Sequence, residues 1–112
     1  SRGHGARYGH GTFLAAGARV GPDAVLGDGC IVNHNAVIDH DCVLGDFCHV
    51  APGATLAGNV RLGHGVLVGA GANILPGTRI GDGATIGAGA VVLEDVPPQS
   101  RYAGVPARKI GK

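Results

Sequence analysis

From Leu14 to Val92 every sixth residue is Leu, Ile or Val: Leu14, Val20, Leu26, Val32, Ile38, Leu44, Val50, Leu56, Leu62, Val68, Ile74, Ile80, Ile86 and Val92. An unbroken run of fourteen excludes chance, and Tyr8 keeps the register upstream. Four residues after each beat stands a small or β-branched residue, as at Ala18, Cys30, Ala36, Cys42, Val60 and Thr78. Two residues separate that slot from the next beat, so both point to one side of a strand. Three residues after the beat stands Gly, Asn or Asp, the residues that accept the positive φ of a tight turn. Phe47 is the exception and marks a local break in the turn rule. The unit is a short strand followed by a tight turn, which predicts a parallel β-helix built of hexapeptides.

One stretch breaks this composition without breaking the beat. Between Val32 and Val50 the intervening positions turn densely polar, with Asn33, His34, Asn35, Asp39, His40, Asp41 and His49. A regular scaffold that departs from its own pattern in one place usually does so for chemistry.

Composition narrows the rest. The chain has 112 residues, enough for one domain, with 45% hydrophobic residues but only 4% aromatic. Its core must therefore be built from small aliphatic side chains. Gly accounts for 22 residues without a collagen triplet. The formal net charge of +1 gives no nucleic-acid footprint. No apolar run approaches the roughly 20 residues of a membrane span, and the N-terminal stretch has no signal-peptide core. Cys30, Cys42 and Cys48 lack metal-binding spacing and form an odd set, which argues for a reducing, cytoplasmic setting. The chain begins with Ser1 inside a repeating pattern, so a fragment, a processed chain or an excised domain is expected.

The hexapeptide pattern resembles the left-handed β-helix of hexapeptide-repeat acyltransferases, over nearly the whole chain. That resemblance implies an all-β prism in which three hexads make one triangular coil and residues eighteen apart stack. Fourteen hexads would stand roughly 20 Å tall at about 4.8 Å per coil. Residues 1–98 are expected to form the helix. Glu94-Asp95-Val96-Pro97-Pro98 should stop its strands, because two prolines cannot continue a ladder. Residues 99–112, with Gly104-Val105-Pro106-Ala107-Arg108, are similar to the G-x-P-A-[KR] ending of that family and are expected to cap the last coil. The N-terminal coil has no such cap, so an upstream domain is expected to cover its open edge.

His40 falls at a corner turn, flanked by Asp39 and Asp41. Corner residues face outward, so this is not a core histidine. A solvated turn rich in Asp and His would look the same, but clustered titratable groups concentrate at sites. Imidazole takes a proton near neutral pH, and a neighbouring carboxylate fixes its tautomer and raises its basicity. One coil on from His40 stands Gly58, whose missing side chain permits close approach of a reacting group to its N–H. Cys42 lies two residues from His40 but occupies the small inward slot, where thiols are inert, so direct transfer is favoured over an acyl-cysteine. His49 precedes a beat on an outward strand face. His34 lines the same polar stretch, and His4, His10 and His64 read as surface residues without carboxylates nearby.

The segment Ile38-Asp39-His40-Asp41-Cys42-Val43-Leu44-Gly45-Asp46-Phe47-Cys48-His49-Val50 resembles the site of the sialic acid O-acetyltransferase and UDP-amino-sugar N-acetyltransferase branch. The resemblance implies that His40 is the general base and Asp41, where the branch more usually has Glu, its partner. It implies that His49 binds the thioester region of acetyl-CoA, that the Gly58 N–H holds the oxyanion, and that Ala70 and Ala88 contact the coenzyme through their backbone. It also implies a homotrimer with sites between neighbouring prisms, and an N-terminal domain that binds a nucleotide sugar. Among the basic residues of the tail, Arg101, Arg108, Lys109 and Lys112, Arg108 is singled out for the coenzyme phosphates.

The expected activity is acetyl-CoA-dependent N-acetylation of a nucleotide-linked amino sugar. O-acetylation of a sugar or sialic acid hydroxyl is an alternative, as is a non-catalytic trimeric module. A zinc enzyme of the γ-carbonic anhydrase type needs two histidines five residues apart. The histidine gaps here are 6, 24, 6, 9 and 15, so no metal site is expected.

Overall fold

Two apolar residues per hexad point to one side of each strand, and burying both rows at once closes the chain into a prism. The computed structural model describes residues 2–111 and folds them as a left-handed parallel β-helix. Among the described residues there is no helix. The first face stacks β1 (Arg7–Tyr8), β4 (Val25–Leu26), β7 (Val43–Leu44), β10 (Arg61–Leu62) and β13 (Arg79–Ile80). The second face stacks β2 (Phe13–Leu14), β5 (Ile31–Val32), β8 (His49–Val50), β11 (Leu67–Val68) and β14 (Thr85–Ile86), then β16 (Arg101–Ala103) and β17 (Arg108–Ile110). The third stacks β3 (Arg19–Val20), β6 (Val37–Ile38), β9 (Thr55–Leu56), β12 (Asn73–Ile74) and β15 (Val91–Val92). The strands of β1 to β15 pair in parallel, with partners eighteen residues apart such as Val43 with Arg61 and Val37 with Thr55.

The beat residues and the small slots together form the core. Val32, Ile38, Val50, Leu56 and Val68 are fully buried, as are Ala36, Cys42 and Ala54 between them. Each buried aliphatic side chain contributes roughly 1.5–3 kcal/mol, so a column of modest residues suffices without aromatics. Tyr8 packs at the N-terminal end of this column, with Arg2 over its ring at 5.2 Å. Burial pushes the Tyr8 phenol up from its usual range, and its hydroxyl is enclosed without a hydrogen-bond partner among the described residues.

Positive φ occurs where the turn pattern requires it, including Asp41 at 59° and Asn59 at 62°. Phe47 adopts the same left-handed conformation, φ 59°, rather than a different turn. Its exposed ring lies over Gly29 in the coil below, where a Cβ would come within 2.5 Å of it.

The C-terminal prolines do not stop the ladder as expected. Val96 bridges Ile80, Gln99 donates its N–H to Asp82 O at 2.8 Å, and β16 pairs in parallel with β14. The register falls from eighteen residues to sixteen, as Arg101 against Thr85 shows. Pro98 takes a corner position, where the ladder asks for no N–H. β17 then returns antiparallel on β16, with Ala107 buried against the last coil. These tail strands and the coil begun at Arg2 lengthen the stack, so the long dimension is 38 Å rather than roughly 20 Å.

Candidate active site

Three corners join the faces, and their backbone sets up the chemistry. At each corner the second turn residue donates its N–H to a carbonyl one coil below, as Asp41 does to Pro22 O at 3.0 Å. The first turn residue lies outside this ladder, and its N–H must find another acceptor or remain open. Four of these positions are Pro22, Pro52, Pro76 and Pro98, which have no N–H to satisfy. The corner between the first and second faces fills the rest with side chains. His10 N–H donates to Asp28 Oδ1, Asp28 N–H to Asp46 Oδ1, Asp46 N–H to His64 Nδ1 and His64 N–H to Asp82 Oδ1, at 2.8–2.9 Å. The expectation that His64 has no carboxylate nearby is therefore wrong. Asp46 and Asp82 stand one coil to either side of it, with Asp46 Oδ2 at 3.8 Å from Nδ1.

His40 sits between β6 and β7, at the corner joining the third face to the first. Asp39 Oδ1 accepts its backbone N–H at 2.7 Å, and Asp41 Oδ2 accepts from ring Nδ1 at 3.0 Å. The two carboxylates thus divide the work: one fixes the turn and the other fixes the ring. With the proton on Nδ1, Nε2 carries the free lone pair. That nitrogen lies over Gly58, one coil on, where any Cβ would collide with it. Gly58 is buried, and its N–H has no acceptor among the described residues. The imidazole ring, half-exposed to solvent, is therefore next to a glycine whose amide has no acceptor among the described residues.

His49 projects from β8 on the second face, half-buried, with Nε2 at 3.3 Å from Asn33 Nδ2. Asn33 Oδ1 in turn accepts His34 N–H at 2.8 Å and lies 2.9 Å from His34 Nδ1. Asn33 thereby joins His34 and His49, a link that reading the sequence alone missed because its partners lie one and sixteen residues away. Ala70 and Ala88 lie on the corner between the second and third faces, in one row with His34 and Pro52. Their N–H groups are open too, as are those of His4, Ala16 and Asp82, among the described residues. Arg108 is exposed on β17, four strands from His49 along the second-face sheet, or about 19 Å at the usual strand spacing. Lys112 lies outside the described residues.

One prism does not bring these groups together. The His40 corner is opposite the second face in the triangular section, so His40 and His49 point away from each other. The base-like pair and Gly58 occupy one edge, and His49, Ala70, Ala88 and Arg108 border the other side.

Cys42 is fully buried and donates its thiol to Ala57 O at 3.2 Å. Burial pushes this thiol up. The hydrogen bond between Cys30 and Cys48, and then burial, push Cys48 up, while the same bond pulls Cys30 down to about 6. Among the described residues no group of three or more His, Cys, Asp or Glu is placed to hold a metal ion. No helix among them is long and apolar enough to cross a membrane.

Residues 23–58 and 59–94 match the bacterial transferase hexapeptide family, described as six repeats. The acetyltransferase domain of PglB from Neisseria gonorrhoeae is 43% identical, with 98% of this chain and 54% of that one covered and a TM-score of 0.97. The same domain has been solved with acetyl coenzyme A. WeeI from Acinetobacter baumannii is 32% identical over 97% of this chain and 54% of its own, with a TM-score of 0.95. PerB from Caulobacter crescentus, solved with CoA and GDP-perosamine, is 39% identical over 96% and 55%, with a TM-score of 0.80. The chain thus spans about half the length of these relatives. Comparison with curated protein sequences gave no significant match. With nearly all of its hexads inside the matched residues, the chain belongs to the bacterial transferase hexapeptide family.

Proposed function

We propose that this chain is the acetyl-CoA-dependent catalytic module of a sugar N-acetyltransferase, acting in the cytoplasm on a nucleotide-linked amino sugar. The observation that carries the reading is the His40 ring, held by Asp41 and lying against buried Gly58, whose N–H has no acceptor among the described residues. The relatives solved with acetyl-CoA, or with CoA and GDP-perosamine, support the ligand classes. The division into a solenoid over residues 1–98, a cap over 99–112 and an acceptor-binding domain upstream is part of the same proposal.

The sugar amine attacks the thioester carbonyl while His40 Nε2 takes the amine proton. Asp41 stabilises the imidazolium that forms. The carbonyl oxygen becomes an oxyanion and accepts from Gly58 N–H, a donor that needs no reorganisation because nothing else holds it. Collapse breaks the carbon–sulfur bond, and the CoA thiolate leaves with the proton that His40 returns. The products are an acetamido sugar and CoA, with no acyl-enzyme. Cys42 is a poor nucleophile here because its thiol is buried, hydrogen-bonded and held protonated.

Coenzyme binding needs a second copy. His49, Ala70, Ala88 and Arg108 lie across the prism from His40, so a thioester that touches both sets sits between two chains. A homotrimer closes three such clefts at once. The apolar outer residues Val37 and Val91 on the third face, and Ile31 and Leu67 on the second, suit packing between prisms.

The test is calorimetric titration with CoA and acetyl-CoA, then thiol release with amino-sugar and hydroxyl-sugar acceptors, using protein that includes any acceptor domain. The expected result is acetyl-CoA binding and turnover with amines in the wild type, and loss of turnover but not of binding in His40→Ala. Turnover retained by His40→Ala removes His40 as the base. No coenzyme binding by the assembled protein leaves a non-catalytic scaffold.

A further inference from the structure

The first face carries three arginines that the acetyl-transfer chemistry leaves unused, Arg7 at its N-terminal end and two in adjacent coils. Arg61 on β10 and Arg79 on β13 are register partners in adjacent coils, both exposed, with backbones about 4.8 Å apart. Among the described residues neither guanidinium has an ion-pair or hydrogen-bond partner. The acid beside them, Asp95, accepts the backbone N–H of Arg79 on Oδ1 at 2.8 Å and keeps its negative charge at the cleft rim. Like charges directly opposite one another in a sheet are unfavourable, and Asp95, which lines the same cleft, forms no ion pair with either guanidinium among the described residues. The cleft lining thus holds two guanidinium charges against one carboxylate.

The pair borders a cleft of about 550 Å³ with an apolar floor that includes Val43, Val96 and Pro97. The Asp95–Pro97 segment closes its C-terminal end, where Val96 bridges Ile80. The opposite end begins at Val43, three residues after His40. At about 3.3 Å per residue, that end lies roughly 10 Å along the chain from the candidate base.

We propose that Arg61 and Arg79 form a diphosphate-anchoring site, with the apolar part of the ligand lying on the cleft floor. A guanidinium grips a phosphoryl group through two parallel hydrogen bonds, and two stacked forks match two linked phosphoryl groups. A single carboxylate would occupy one fork and leave the other unpaired. The choice of ligand rests on the acetyl-transfer reading: coenzyme A and a nucleotide sugar each carry a diphosphate. The site itself rests only on the two arginines and the cleft.

The test is titration of this chain, wild type and Arg61→Gln/Arg79→Gln, with inorganic pyrophosphate, CoA, pantetheine, UDP and GDP at low salt. Circular dichroism checks that the variant folds, and both positions are on the surface. The expected result is at least a tenfold loss of affinity in the double variant for one or more diphosphate ligands, with affinity also falling as salt is raised. A loss for CoA but not pantetheine identifies the coenzyme as the source of the diphosphate. A loss for UDP or GDP identifies the acceptor nucleotide. Equal affinities of wild type and double variant for pyrophosphate, CoA, UDP and GDP overturn the site. His40→Ala is assayed separately: turnover retained there removes the base assignment and leaves the anchoring site standing.

Discussion

The imidazole of His40 lies against Gly58, with no room for a Cβ between them. A methyl group placed there would fall within 2.5 Å of Cε1 and closer still to Nε2, far inside the usual 3.5–4.0 Å contact. The glycine is therefore required by the ring above it, and not by its own backbone, which has no positive φ.

Gly58→Ala is expected to cost activity and not fold. The clash is with the end of a half-exposed side chain that can swing away, so the thermal midpoint should move by only a few degrees. The displaced ring leaves both its Asp41 partner and the open amide. Misplacement of about 1 Å costs roughly a hundredfold in rate. Thiol release and a thermal melt on the same preparation check this. A variant with wild-type turnover would show that the His40–Gly58 contact plays no part in transfer.

Asp41→Asn separates charge from shape. Asn tolerates the left-handed turn that Asp41 occupies at φ 59° and can still accept from His40 Nδ1. It loses the negative charge that stabilises an imidazolium, so turnover should fall by about 10- to 100-fold. Stability should change by no more than about 1 kcal/mol, because exposed ion pairs contribute little. Asp39→Asn provides the contrast, since Asp39 touches the backbone of the turn and not the ring.

The sequence made the scaffold legible because its hexad is local: beat, small slot and turn residue all lie within six positions. His40 and Asp41 were legible for the same reason, being adjacent. What was hidden depends on stacking. Asp46 and Asp82 stand eighteen residues from His64, so a scan for nearby acids passed over them. Asn33 reaches His49 across sixteen residues. The last coil drops two residues from its register, which turned Pro97 and Pro98 from an expected stop into a corner. The open amides of Gly58, Ala70 and Ala88 appear only when every corner N–H is traced to its acceptor.

The corner column from His10 to Asp82 is expected to contribute to stability through His64. Its Nδ1 accepts the Asp46 N–H at 2.8 Å, the place an Asp oxygen fills elsewhere in the column. His64→Ala removes that acceptor and should lower stability by about 1 kcal/mol, similar to losing a helix cap. His64→Asn supplies a neutral oxygen and should recover most of the loss. Urea midpoints for the three proteins decide the matter, and identical midpoints would mean that water replaces the side chain at no cost.

The buried Cys42 thiol contributes to the alkaline limit of the fold. Burial raises the Cys42 thiol above its usual value of 9.0, whereas the hydrogen bond between Cys30 and Cys48 lowers the first and raises the second, so that pair acts in opposite directions. A group whose folded pKa is raised holds its proton in the native state after the unfolded chain has released it. Its contribution to stability is complete below the unfolded value and declines as pH rises beyond it. The urea midpoint should therefore hold between pH 7 and about pH 8 and fall above about pH 9. Tyr8, raised by burial from 10.0, adds to the fall at its upper end. Cys42→Ala is the informative variant, because Ala already fills the equivalent slot at Ala36 and Ala54. It should flatten the alkaline fall while leaving turnover near wild type. An unchanged pH profile would mean that Cys42 is not the titrating group, and lost turnover in a folded variant would revive the acyl-cysteine route.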